Sequence, residues 1–175
     1  VVEGGMTIRN ARRIERIPMQ MDETVRENYF MEGGAIARKP YRCDIPDWDD
    51  AERLERMAEM NRAIADGGMA FECLAEGLVV GIATVASIKL SKDRVQLATL
   101  HVDARYRKRG VGKALMRAAV GFARDIGARG LYISASPKIN TVDFYLRLGA
   151  ALADPIEPAL FALEPEDIHL ELMWA

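Results

Sequence analysis

The sequence predicts an α/β fold built on a mixed sheet, and three observations lead there. Between Arg94 and Gly149 the chain alternates strand, helix, strand, helix. The strand–helix–strand part is long enough for a helical crossover, which joins parallel neighbours. Ahead of it, Glu76-Gly77 is a tight turn between two strand-like runs, and a hairpin makes those two antiparallel.

Taken in order, Met6 to Arg9 reads as a short strand, and Ala11 to Ile17 as a short helix stopped by Pro18. Thr24 to Phe30 and Ala35 to Arg38 flank Gly33-Gly34 as a hairpin. Lys39 to Trp48, with two prolines and several acids, reads as a loop. Asp49 or Asp50 caps the next helix, whose face carries Leu54, Met57, Ala58, Ile64 and Ala65. Glu52 and Arg56 pair on its outside, and Gly67-Gly68 ends it. Strands follow at Ala70 to Ala75, Leu78 to Ile88 and Arg94 to Val102. Val111, Ala114, Leu115, Ala118, Phe122 and Ile126 form the stripe of the clearest helix, with Gly127 at its C′ position. Leu131 to Ser136 is a strand. Asn140 opens a helix that Gly149 closes. Ile168 to Met173 alternates as a final strand, with His169, Glu171 and Met173 on a wet face.

A chain of 175 residues, half of them apolar and 29% charged, fits one globular, soluble domain, and excludes disordered or collagen-like composition. The net charge of −2 speaks against a protein devoted to nucleic acid. No apolar run reaches the length of a membrane span. Val1 to Gly5 lacks the features of a signal peptide and reads as disordered. Cys43 and Cys73 have no CxxC context and no zinc spacing, so two free thiols in a reducing cytoplasm are expected, with no metal.

The chemistry concentrates at Arg105-Tyr106-Arg107-Lys108-Arg109-Gly110-Val111-Gly112-Lys113, where five of nine side chains are basic. The segment lies between a strand end and a helix start. Glycines let the backbone approach a ligand, and the first N–H groups of a helix have no internal partner. Together these features describe a pyrophosphate site, although a solvated basic turn or a nucleic-acid patch has the same composition. Neither the Walker nor the dinucleotide glycine pattern is present.

Arg107-xx-Gly110-x-Gly112 resembles the acetyl-coenzyme A signature of the GNAT acyltransferase superfamily, R/Q-xx-G-x-G/A. It follows Leu100-His101-Val102, which resembles the end of that family's fourth strand. Asn140, Phe144-Tyr145 and Gly149-Ala150 resemble the family's second signature at the matching distance. The resemblance covers Gln96 to Ala150 specifically, is looser over Ala70 to Ile88 and the last strand, and is weak before residue 50.

It implies a mostly antiparallel mixed sheet with a splayed parallel strand pair and flanking helices. It implies a single acetyltransferase domain over residues 1–175, with a variable N-terminal part at 6–69 and a core holding the cofactor at 70–175. It further implies acetyl-CoA as cofactor. Backbone groups at Leu100 and Val102 would hold the pantetheine. Those of Arg107, Lys108, Arg109, Gly110, Val111, Gly112 and Lys113 would hold the pyrophosphate, and Asn140 and Tyr145 would contact the cofactor from the far side. Tyr145 stands where the family has its general acid, and a phenol near the sulfur can protonate a departing thiolate.

The sequence departs from the family at the base. Gln96 stands about where many members carry a Glu, and an amide cannot accept the proton of an amine. His101, a more distant carboxylate through water, or no dedicated base remain open. His169 and Glu171 border the acceptor site on this reading. The expected acceptor is a small-molecule or peptide amine. The alternative is a CoA-binding sensor or docking module without turnover. A homodimer is compatible with the edge strands and the early hairpin.

Overall fold

The computed structural model describes residues 5–175; the expectation for Val1 to Gly4 lies outside the described residues. β1 (Thr7–Ala11), β4 (Met69–Ala75), β5 (Leu78–Lys89), β6 (Arg94–Val102), β7 (Gly130–Ala135), β8 (Ala151–Leu152) and β9 (Ile168–Met173) form one sheet in the order β1-β4-β5-β6-β7-β9-β8. Its neighbours are antiparallel except β6 and β7, which run parallel as the crossover requires. β2 (Glu23–Glu32) and β3 (Ala35–Ile45) make a separate two-stranded hairpin.

The helices cover both faces. α2 (Val111–Asp125) buries Val111, Leu115, Met116, Ala119 and Ala123 against β4, β5 and β6. A fully buried side chain of the larger kinds here contributes about 1.5–3 kcal/mol. The contact is close: a Cβ on Gly81 of β5 would come within 2.6 Å of Val111 Cγ1. α3 (Ile139–Arg147) joins the same side through Val142 and Tyr145. α1 (Asp50–Ala65) packs on the other face, where Met60 meets Ala11, Ile14, Ala70 and Ile82. α4 (Pro158–Leu163) lies on that face too, with Phe161 against His169 of β9.

Several expectations are corrected. Ala11 to Ile17 is not a helix: β1 extends to Ala11 and an irregular segment follows. Asn61 of α1 holds that segment extended, accepting from Ile14 N at 2.8 Å and donating to Ile14 O at 3.0 Å, while Ile14 is buried. Lys39 to Ile45 is strand rather than loop, because β3 pairs with β2 on both sides of a register shift. Pro40 is tolerated because it falls where the register shifts, between Val25 and Glu27.

The face of α1 is also rotated from the expected one. Leu54 is 64% exposed, and Met57, Met60 and Ile64 are the packed positions. Glu52 completes a capping box with Asp49, and Arg56 lies over the Trp48 ring, so the expected Glu52–Arg56 pair does not form. α3 begins one residue before Asn140, with Lys138 as its cap residue. The supposedly wet face of β9 is covered at His169, which is 4% exposed beneath α4.

Candidate active site

The parallel pairing of β6 and β7 joins only Arg94–Gln96 to Gly130–Tyr132. Beyond Gln96 the strands part. The register of β5 and β6 shifts there, from Thr84↔Thr99 to Val85↔Leu97, which leaves Ala98 as a bulge. Bulges bend a strand, and this one stands where β6 leaves β7. Asp103 N donates to Val80 O at 3.0 Å, in register with Gly81↔Val102. Antiparallel alternation then turns the backbone groups of Thr99 and His101 toward β5, and those of Leu100 and Val102 toward the gap. One of them is engaged: Val102 O accepts from Arg107 Nε at 3.3 Å.

At the end of β6 a short 3-10 turn, Ala104–Tyr106, leads into α2. Lys108 (φ +61°) and Gly110 (φ +83°) are left-handed, and Gly110 is the cap residue of α2. The left-handed region costs glycine nothing and a β-branched residue much. Among the described residues, the backbone N–H groups from 108 to 113 find no acceptor within the chain. Gly112 lies against α3, where a Cβ would sit 3.1 Å from the Phe144 ring.

The basic side chains divide. Arg105 pairs with buried Asp103 at 2.6 Å, and Arg109 stacks over Tyr106. Arg107 turns away from the turn, to Val102 O and to Glu23 of the hairpin at 3.7 Å. Lys108 and Lys113 form no ion pair among the described residues. A row of free N–H groups at a helix start, flanked by two free ammoniums, meets what a pyrophosphate requires.

Tyr145 lies on the α2 side of the sheet. Its ring is 4% exposed and meets Phe144 edge-on at 5.2 Å. Its hydroxyl has no hydrogen-bond partner among the described residues, and burial raises its pKa, so the phenol keeps its proton. Asn140 stands exposed in the first turn of α3.

His101 is on β6 but its ring is engaged. It packs on Trp48 at 4.6 Å, and its Nε2–H donates to Met19 O at 3.1 Å. Burial lowers its pKa to about 4, helped by the charges of Arg107 and Arg56. It is therefore neutral and weakly basic. His169 and Glu171 belong to a separate network. Tyr132 Oη donates to His169 Nδ1 at 2.8 Å, and His169 Nε2–H donates to Glu164 O at 3.0 Å. Glu171 and Glu157 bind fully buried Arg94 at 2.5 and 2.6 Å, with Arg94 stacked over Tyr132.

A cleft of about 390 Å³ opens on the α1 face above the point where β6 and β7 part. Gln96, Ala98 and Thr99 of β6 line it, between Glu59 and Met60 of α1 and Leu160 and Glu164 on the α4 side. Its α4 wall is absent from the sequence reading. Pro158 at the first turn was the signal available, since proline favours that position.

The acetyltransferase (GNAT) family model matches residues 35–150, which span the splayed strands, the turn and α3. The chain belongs to the acetyltransferase (GNAT) family. Solved structures share the fold of this acetyltransferase. A putative streptothricin acetyltransferase from Bacillus anthracis str. Ames, in complex with acetyl coenzyme A, superposes with a TM-score of 0.67 at 16% identity, covering 98% of each chain. A nourseothricin acetyltransferase gives 0.67 at 18% identity over 96% of this chain and 98% of its own. The PaiA N-acetyltransferase of Thermoplasma acidophilum, in complex with coenzyme A, gives 0.54 at 13% identity over 73% and 80%. No curated protein matches the chain. Among the described residues no helix is long and apolar enough to cross a membrane.

Proposed function

We propose that this acetyltransferase moves the acetyl group of acetyl-CoA to a primary amine by direct attack in a ternary complex, in the cytoplasm. The observation that carries the reading is the loss of β6–β7 pairing beyond Gln96, beside a turn of unpaired N–H groups. Acetyl-CoA supplies an activated acetyl thioester. In this reading the N–H groups of residues 108–113, with Lys108 and Lys113, bind its pyrophosphate. The backbone of Leu100 and Val102 holds the pantetheine arm and offers a fixed N–H to the thioester oxygen. Tyr145 gives a proton to the departing sulfur from the α2 side, and Asn140 borders the cofactor. The amine enters from the cleft on the α1 face. Gln96 cannot take its proton and His101 is a weak base, which leaves a cleft carboxylate acting through water, or no dedicated base. The free thiols of Cys43 and Cys73 suit a reducing compartment.

Thiol release from acetyl-CoA across a panel of primary amines tests this. The expected result is amine-dependent release, with Tyr145→Phe lowering kcat by roughly 10²-fold at unchanged acetyl-CoA affinity. An unchanged kcat removes the acid role. Tight acetyl-CoA binding with no amine turned over points instead to a CoA-binding module.

A further inference from the structure

Arg107 belongs to the glycine turn, yet its side chain does not serve that turn. Its Nε–H donates to Val102 O at 3.3 Å, and its Nη1 lies 3.7 Å from Glu23 Oε1. The pairing of Gly81 with Val102, with Asp103 N on Val80 O, turns the Val102 carbonyl away from β5 and toward the β6–β7 gap. The guanidinium therefore rests on one of the backbone groups that face the gap.

Glu23 ties that guanidinium to the opposite wall. Its Oε2 accepts from Lys138 Nζ at 3.0 Å, and Lys138 is the cap residue of α3. The hairpin that carries Glu23 is fastened to the same wall. Tyr29 N donates to Pro137 O at 2.8 Å, Tyr29 Oη to Asp143 Oδ1 at 2.7 Å, and Arg38 Nη2 to Asp143 Oδ2 at 2.8 Å. A lone two-stranded hairpin is barely stable in water, so these contacts fix its place. Val102, Arg107, Glu23 and Lys138 thus make one chain of contacts across the open end of the gap, from the last residue of β6 to the start of α3. The chain is firm at one end and loose at the other. Lys138 and Glu23 are at hydrogen-bond distance, whereas Arg107 is too far from Glu23 for a hydrogen bond and makes a long one to Val102 O.

A pyrophosphate on the neighbouring N–H groups is a stronger partner for Arg107 than either of these. Its oxygens take a planar guanidinium in two parallel bonds, which neither contact of Arg107 provides. A pantetheine amide, in turn, needs the carbonyl and the space that the guanidinium takes. We infer that Glu23 is a positioning residue for the donor: it holds Arg107 over Val102 O, so that the pantetheine arm enters by displacing the guanidinium, and it sets the donor affinity in this way. The inference rests on the acetyl-transfer reading for the path of the arm along β6.

The test is calorimetric titration of acetyl-CoA and of pantetheine into the full chain as wild type, Glu23→Gln, Arg107→Met and the double variant, each shown to be folded by circular dichroism. Pantetheine carries no phosphate, so it reads the space at Val102 O without the attraction of an anion to a more positive surface. It is expected to bind Glu23→Gln and Arg107→Met roughly 3- to 5-fold more tightly than the wild type, the size of one partly exposed ion pair. The double variant should bind it no more tightly than Arg107→Met, because Glu23 acts through Arg107. A pantetheine affinity in Glu23→Gln equal to or below that of the wild type overturns the inference, even where acetyl-CoA binds that variant more tightly, since loss of a negative charge alone explains such a gain. Gains that add in the double variant overturn it too. Where the wild type binds acetyl-CoA saturably, these results overturn the role of Glu23 alone. Failure of all four proteins to bind acetyl-CoA overturns the acetyl-transfer reading and the inference with it.

Discussion

The two sides of the β6–β7 gap are built by different means. The side we propose for the cofactor consists of backbone: a strand left unpaired, a left-handed glycine and a helix start with free N–H groups. The side we propose for the acceptor consists of side chains brought together from distant parts of the chain. Trp48 and Met19 meet His101, Asn61 holds Ile14, and Arg94 ties Glu157 to Glu171. A site made of backbone tolerates wide change in its surroundings. A site made of long-range side-chain contacts can be rebuilt by a few substitutions.

Three perturbations bear on that contrast. Arg94→Ala should have the largest effect, because it takes the arginine from two nearly buried carboxylates beneath the α4 wall and, among the described residues, leaves Glu157 with no basic partner and Glu171 with Lys92 alone. A loss of about 3–5 kcal/mol in unfolding free energy is expected, read by denaturant melts. A loss below ~1 kcal/mol would mean that the acceptor wall is not held from below. His101 should come next. Its pKa falls from the ordinary 6.5 to about 4 in the folded chain, so the unfolded chain binds a proton first as pH drops. Its contribution is full above pH 6.5 and is lost as pH falls toward 4, about 3 kcal/mol in all. His101→Gln should flatten the stability profile over that window; an unaltered slope would mean that the N-terminal segment does not bury the ring in solution. Asp167 should give the smallest effect, with the opposite sign. Its raised pKa makes the fold lose stability as pH rises from the ordinary carboxylate range through about 6. After allowance for solvent screening, Asp167→Asn should gain about 1 kcal/mol near neutral pH. No gain would mean that Asp167 is not buried in solution as it is here.

The same contrast explains what could be read from the sequence. The turn from Arg105 to Lys113 and the crossover helix were legible because local composition dictates them: glycine where φ is positive, basic residues beside it, an apolar stripe after it. The Phe144-Tyr145 helix was legible for the same reason. The segment from Ala11 to Ile17 was not, because its hydrogen-bond partner is Asn61, some fifty residues away in sequence. The length of β3 was hidden by Pro40, which reads as a break until its place in the register is known. His169 looked solvent-facing by alternation, since nothing in β9 announces that α4 covers it. The cleft needed α1, β6 and α4 together, so Glu59 did not stand out along the chain, whereas Glu164 falls in an acidic stretch with Glu166 and Asp167.

The central claim is that the turn before α2 binds the cofactor through its backbone. Acetyl-CoA titrated calorimetrically into the wild type and Gly110→Val tests it most directly. Valine retains every charge in the turn but resists φ near +83°, at a cost of roughly 1–3 kcal/mol. The account predicts saturable binding to the wild type and an affinity roughly 10- to 100-fold weaker for the variant, with the fold preserved by circular dichroism. Equal affinity in the two proteins would contradict it.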